Sequence, residues 1–116
     1  MRTFLIILFS LAGFSLAQAH AFLDHAEPRV GSTVHAPTKV TIWFTEELEG
    51  AFSKIQVFDA QGKEVDKKDS KVDPAQQAVM TVSLPALPAG HYKVVWSAVA
   101  IDTHHTTGTF PFTVAP

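Results

Sequence analysis

Three side chains in this 116-residue sequence have the types and positions to share a metal ion: His20, and the pair Asp102 and His104 near the other end. His20 owes its chemistry to what precedes it. Arg2 supplies a positive start, Phe4 to Ala12 is apolar except for Ser10, and Ala17-Gln18-Ala19 is a small-x-small cleavage site, so residues 1–19 read as a secretory signal. Cleavage after Ala19 makes His20 the first residue of the exported chain. An amino-terminal histidine offers a metal two nitrogens, its α-amine and Nδ1, which close a six-membered chelate ring. The amine has an ordinary pKa of about 7.7–8.0, so near neutral pH a metal displaces one weakly held proton.

Asp102-Thr103-His104 follows a long apolar alternation. In an extended chain the i, i+2 spacing turns both side chains to one side, adding a carboxylate oxygen and an imidazole nitrogen. Three nitrogens and one oxygen suit tetragonal Cu(II), which also heads the divalent affinity order; Zn(II) is the main competitor. A second reading stands beside this one. Asp-Thr-His followed by His105-Thr106-Thr107-Gly108 is also hairpin-turn composition, in which Asp caps backbone amides.

Composition narrows the chemistry. There is no cysteine, so neither a disulfide framework nor thiolate ligation is available. All six histidines (His20, His25, His35, His91, His104 and His105) lie after the signal. The net charge of −2 becomes one unit more negative once Arg2 is removed, which offers nothing to nucleic acid. The signal's apolar run is too short to span a bilayer, and no later run reaches the roughly 20 residues required, so the exported part is not membrane-embedded. No Gly-x-Ser-x-Gly elbow or other nucleophile arrangement supports catalysis. Residues 20–116 suffice for one small domain.

The elements that must position these ligands read as strands. Ala21 to Ala26 forms a short edge strand, closed by the Glu27-Pro28 and Gly31-Ser32 turn. Val40, Ile42 and Phe44 alternate with polar or amphipathic neighbours, and the strand ends at the acidic stretch Glu46-Glu47-Leu48-Glu49. Ile55 to Phe58 is a further strand, Lys63 to Asp73 a polar solvated stretch, and Ala78, Met80, Val82 and Leu84 alternate again. Pro85, Pro88 and Gly90 interrupt the chain before a long strand from His91 to about Ile101, and Gly108 to Val114 is the last. With no helical period anywhere after the signal, the expected fold is an all-β sandwich or Greek-key barrel. The aromatic residues are expected in its core or at its rim.

At this point the sequence resembles the CopC copper-resistance proteins of the bacterial periplasm. The likeness runs over essentially the whole exported part: His20, the Glu27-Pro28 and Gly31-Ser32 turn, Phe44-Thr45-Glu46, Leu87-Pro88-Ala89-Gly90-His91-Tyr92-Lys93-Val94-Val95-Trp96-Ser97, Asp102-Thr103-His104, and Gly108 with Phe110-Pro111-Phe112-Thr113-Val114. It implies an immunoglobulin-like Greek-key β-sandwich of about seven strands. It also implies one Cu(II) per chain on His20, Asp102 and His104, with Glu46 an acidic group beside the metal. By the same likeness the protein is a periplasmic monomer that buffers copper or hands it to an inner-membrane copper transport protein.

The chain departs from those relatives that carry a methionine-rich Cu(I) loop. Met80 is its single methionine after the signal, is expected in the core, and cannot make a soft site alone. His105 is expected to point away from His104 into solvent, and His25, His35 and His91 to lie on the surface. Two competing functions are a copper oxidase or monooxygenase built on a histidine brace, and a metal-free immunoglobulin-like interaction module. The first prediction concerns the terminus: intact mass of the exported protein is expected to correspond to a chain beginning at His20, and residues retained ahead of it would remove the amine from the donor set.

Overall fold

The computed structural model describes residues 22–116, in which eight strands form two four-stranded sheets. They are β1 (Leu23–Glu27), β2 (Thr33–Val34), β3 (Lys39–Phe44), β4 (Lys54–Phe58), β5 (Lys71–Asp73), β6 (Gln76–Ser83), β7 (Gly90–Val99) and β8 (His105–Val114). One sheet has the order β1-β3-β6-β5, the other β2-β8-β7-β4. All pairings are antiparallel except β2 with β8. This is the immunoglobulin arrangement, with the first strand switching sheets at the turn between β1 and β2.

Alternation decides which side chains face the core. Val40, Ile42 and Phe44 of β3 pack inward, as do Met80 and Val82 of β6 with Leu84 just beyond it; Tyr92, Val94, Trp96 and Ala98 of β7 and Phe110, Phe112 and Val114 of β8 line the other sheet. Met80 is completely buried. The sheets are locked by aromatic contacts where antibody domains place a disulfide between the second and sixth strands of this order. The ring of Phe44 on β3 meets that of Trp96 on β7 edge-on at 5.3 Å. Trp96 also lies over Gly108, its β8 partner in register, so closely that a Cβ there would fall 2.5 Å from Cζ2 of the indole. Tyr92, at the start of β7, donates its hydroxyl to the carbonyl of Pro88 at 2.6 Å and closes the corner leading from β6. Burial, and then the charge of Asp59, push its phenol pKa up.

Two stretches differ from the sequence reading. Lys63 to Asp73 is not simply a solvated loop: its end forms β5, and Asp66 inside it is buried. Asp66 Oδ1 accepts from the Val57 amide at 2.7 Å, and Ser70 Oγ accepts from the Ile55 amide at 2.8 Å. These side chains satisfy the outward amides of edge strand β4, a form of polar pairing that hydrophobic period does not reveal. The long strand ends at Val99 rather than Ile101, and the last begins at His105 rather than Gly108.

Gly108→Ala is expected to destabilise the protein by about 1–3 kcal/mol, the usual cost of overpacking a core, because the indole cannot retreat from the new methyl group. Urea unfolding checks it. Unchanged stability would show that Trp96 repacks freely.

Candidate metal centre

The β7–β8 hairpin turns at residues 100–104. The Ala100 amide donates to the His104 carbonyl at 2.9 Å, and the Thr103 amide to the Ala100 carbonyl at 2.8 Å. Asp102 and His104 therefore lie in a turn, not on an extended strand, and strand alternation is not what brings them together. The turn does it instead. Asp102 Oδ1 accepts from the His104 backbone amide at 3.1 Å, while Oδ2 takes no hydrogen bond among the described residues. The capping role of Asp102 and a ligand role are thus compatible: one oxygen fixes the carboxylate, and the other is left without a hydrogen bond among the described residues. Metal-ligating carboxylates are commonly held by such a bond.

Between them Thr103 has φ of +74°, in the left-handed region. A β-branched residue there is an outlier that costs about 1–3 kcal/mol, and such strain clusters at functional sites. Its hydroxyl donates to the Asp102 carbonyl.

The start of the described chain lies against this turn. Phe22 is buried, its ring 5.4 Å from that of Phe44 and 6.5 Å from the imidazole of His104 in an edge-on arrangement of 81°. The Phe22 carbonyl accepts from both the amide (2.9 Å) and the hydroxyl (3.2 Å) of Thr45. Glu46, exposed, follows directly. One end of the sandwich thus gathers Phe22, Thr45, Glu46, Asp102 and His104. Sequence reasoning passed over Phe22 and Thr45 as organisers. The signal available was a large aromatic residue two positions after the predicted terminus, ahead of a largely polar first strand.

Among the described residues no three His, Cys, Asp or Glu side chains lie close enough to hold a metal ion. Asp102 and His104 are two of the three expected ligands; His20, the signal and its cleavage site lie outside the described residues. The other histidines are engaged elsewhere. His105 bonds through Nε2 to Ser97 Oγ at 3.0 Å across the hairpin, and His25 stacks on Trp43 at 4.4 Å while Nδ1 meets Asp24 Oδ2 at 2.6 Å. His91 Nδ1 lies 3.1 Å from Thr113 Oγ1, and His35 is exposed before Pro37. Among the described residues no helix is long and apolar enough to cross a membrane.

Comparison with known proteins agrees with this fold. The CopC domain family matches residues 23–115. Copper resistance protein C of Pseudomonas syringae pv. tomato is 39% identical over 124 residues, covering 97% of this chain and 96% of that protein. Copper transport protein CutJ of Bacillus subtilis (strain 168) is 34% identical over 98 residues, which are 83% of this chain but only 18% of CutJ. Among solved structures, CopC from Methylosinus trichosporium OB3b superposes with a TM-score of 0.77 at 33% identity, covering 84% of this chain and 95% of that one. The chain belongs to the CopC family.

The strained turn gives a prediction. Thr103→Asn, which tolerates positive φ, is expected to stabilise the metal-free protein by about 1 kcal/mol, read by urea or thermal unfolding. A loss of stability would mean that the threonine hydroxyl outweighs the strain it occupies.

Proposed function

For this member of the CopC family, we propose that the exported protein begins at His20, works in the periplasm, and holds one Cu(II) ion on the His20 amine and imidazole, Asp102 and His104. The anchoring of Phe22 is the observation that carries this reading. Its ring abuts His104 and its carbonyl is held by Thr45, and two further residues of chain span at most about 7 Å. A terminus two residues upstream is therefore within reach of both His104 and Glu46. Glu46 is the carboxylate suited to accept a hydrogen bond from the His20 amine and orient it.

The donor set is hard to borderline, and the single sulfur after the signal, on Met80, is sealed in the core, so Cu(II) is bound in preference to Cu(I). The role is copper resistance by capture, followed by transfer to a copper transport protein of the inner membrane. CutJ, named for copper transport, supports the second half: there the CopC-like part is joined to a much larger body. The relatives carry the names of resistance and transport proteins rather than enzymes, and a carboxylate in the fourth position closes a site that oxygen chemistry would need open.

The experiment converts the His20 amine into an amide by adding one residue ahead of it. The amide nitrogen gives up a far less acidic proton, so Cu(II) affinity is expected to fall at least about 100-fold, with a spin-resonance spectrum showing one fewer nitrogen and with apo stability unchanged. His104→Ala is expected to weaken binding while keeping the amine chelate, whereas His105→Ala should leave affinity within roughly a factor of three, because its imidazole is turned to Ser97 across the hairpin. An extended chain that binds as tightly as the exported one, with the same spectrum, would overturn the site.

A further inference from the structure

Beside the candidate centre, the segment joining β3 to β4 crosses the end of the sandwich and is knitted to the β7–β8 turn. Glu49 donates its amide to the Val99 carbonyl at 2.7 Å, Ile101 donates to Glu47 at 3.1 Å, and Leu48 bridges to Ala100 with its side chain buried. Ser53 Oγ ties the same pair of segments, donating to the Glu49 carbonyl at 2.9 Å and accepting from the Val99 amide at 3.0 Å. On this stiffened surface stand Phe52, 69% exposed, and Ile101, 48% exposed; among the described residues the other large apolar side chain left so open is Val30, at 56%. Leaving a phenylalanine in water forgoes the free energy its burial would release. Phe52 and Ile101 stand on segments bonded to each other at one end of the sandwich, where exposed apolar side chains mark interaction sites.

The charge around these two residues is predominantly negative. Residues 46–54 and 99–105 carry four exposed carboxylates, on Glu46, Glu47, Glu49 and Asp102, against one exposed lysine, Lys54. A surface of anionic lipid would be repelled, and a second copy of the same face would bring like charges together. An apolar contact rimmed by lysine or arginine complements both features. Ile101 also immediately precedes Asp102 and lies three residues from His104, so whatever covers it reaches the candidate copper ligands.

We infer that the end face carrying Phe52 and Ile101 is the docking surface on which the chain meets a protein partner, one whose contact is apolar at its centre and basic at its rim. The inference rests on the proposed transfer of copper, naming the surface and the chemistry of the acceptor. Because the face is already rigid, little conformational entropy is lost on binding, and the acidic rim gives an association that weakens with salt.

The test uses the full chain, exported in its host, with a benzophenone amino acid at position 52, 101 or 30. Positions 52 and 101 are expected to crosslink to the same protein, at an apolar site flanked by lysine or arginine, and position 30 is not. Phe52→Ser with Ile101→Ser, probed from position 47, is expected to cut that adduct at least about 10-fold while the purified variant keeps its Cu(II) affinity and unfolding temperature; Phe52→Asp alone serves if the double variant does not fold. Crosslinking repeated with copper withheld separates this inference from the site: an adduct that persists without copper supports the surface even if His20 proves not to bind. Equal adducts from position 30, no adduct from 52 and 101, or binding of the purified apo-protein to phosphatidylglycerol vesicles through position 52 would each overturn it.

Discussion

The ring of Phe44 lies between those of Phe22 and Trp96, 5.4 Å from one and 5.3 Å from the other. Through Trp96 it joins the two sheets, and through Phe22 it joins the start of the domain to the sandwich end where His104 sits. Burial of each ring is worth a few kcal/mol, and the tilted and edge-on geometries add roughly 0.5–1.5 kcal/mol per pair. A chain without cysteine thus gains, by aromatic packing, the cross-sheet lock that antibody domains obtain covalently. The packing also sets Phe22, the first described residue, against the turn that carries Asp102 and His104.

That turn combines strain with order. Thr103 occupies a conformation that its branched side chain disfavours, yet the Ala100–His104 backbone bonds, the Asp102 cap and the bridge to Leu48 hold it there. For the site proposed above, such a turn would hold Asp102 and His104 in place before the ion arrives and lower the entropic cost of capture. The neighbouring acidic segment shares the same hydrogen bonds, so the ligands and the exposed Phe52 and Ile101 belong to one stiff unit. On the proposed function, capturing a cation and presenting it to another protein are tasks of one surface.

The remainder of the fold serves to keep that end exposed and the rest closed. Asp66 and Ser70 satisfy the outward amides of β4, an edge that would otherwise invite another strand. His25 and Trp43 cover part of the opposite sheet by stacking on each other, and His105 is tied to Ser97 on the far side of the hairpin. Histidines are numerous in this chain, and their partners separate those at the candidate centre from those that are surface furniture.

Local alternation was enough to read from the sequence the strands carrying Val40 to Phe44, Ala78 to Leu84, and His91 onward, because a side chain's choice between core and solvent is written in period two. Residue chemistry likewise picked out His20, Asp102 and His104 as candidate nitrogen and oxygen donors in a chain with no thiol. Other features had no local signature: β5 and the buried Asp66 within a polar stretch, the pairing of β2 with β8, and the role of Phe22. Of the two readings open for Asp102 and His104, strand or turn, the structure takes the turn, since which one forms depends on where the partner strand begins to pair. Residue identity determined which atoms could bind a metal; only tertiary pairing, through hydrogen bonds and ring contacts between residues as distant as Phe22 and His104, decided which of them share one end of the molecule.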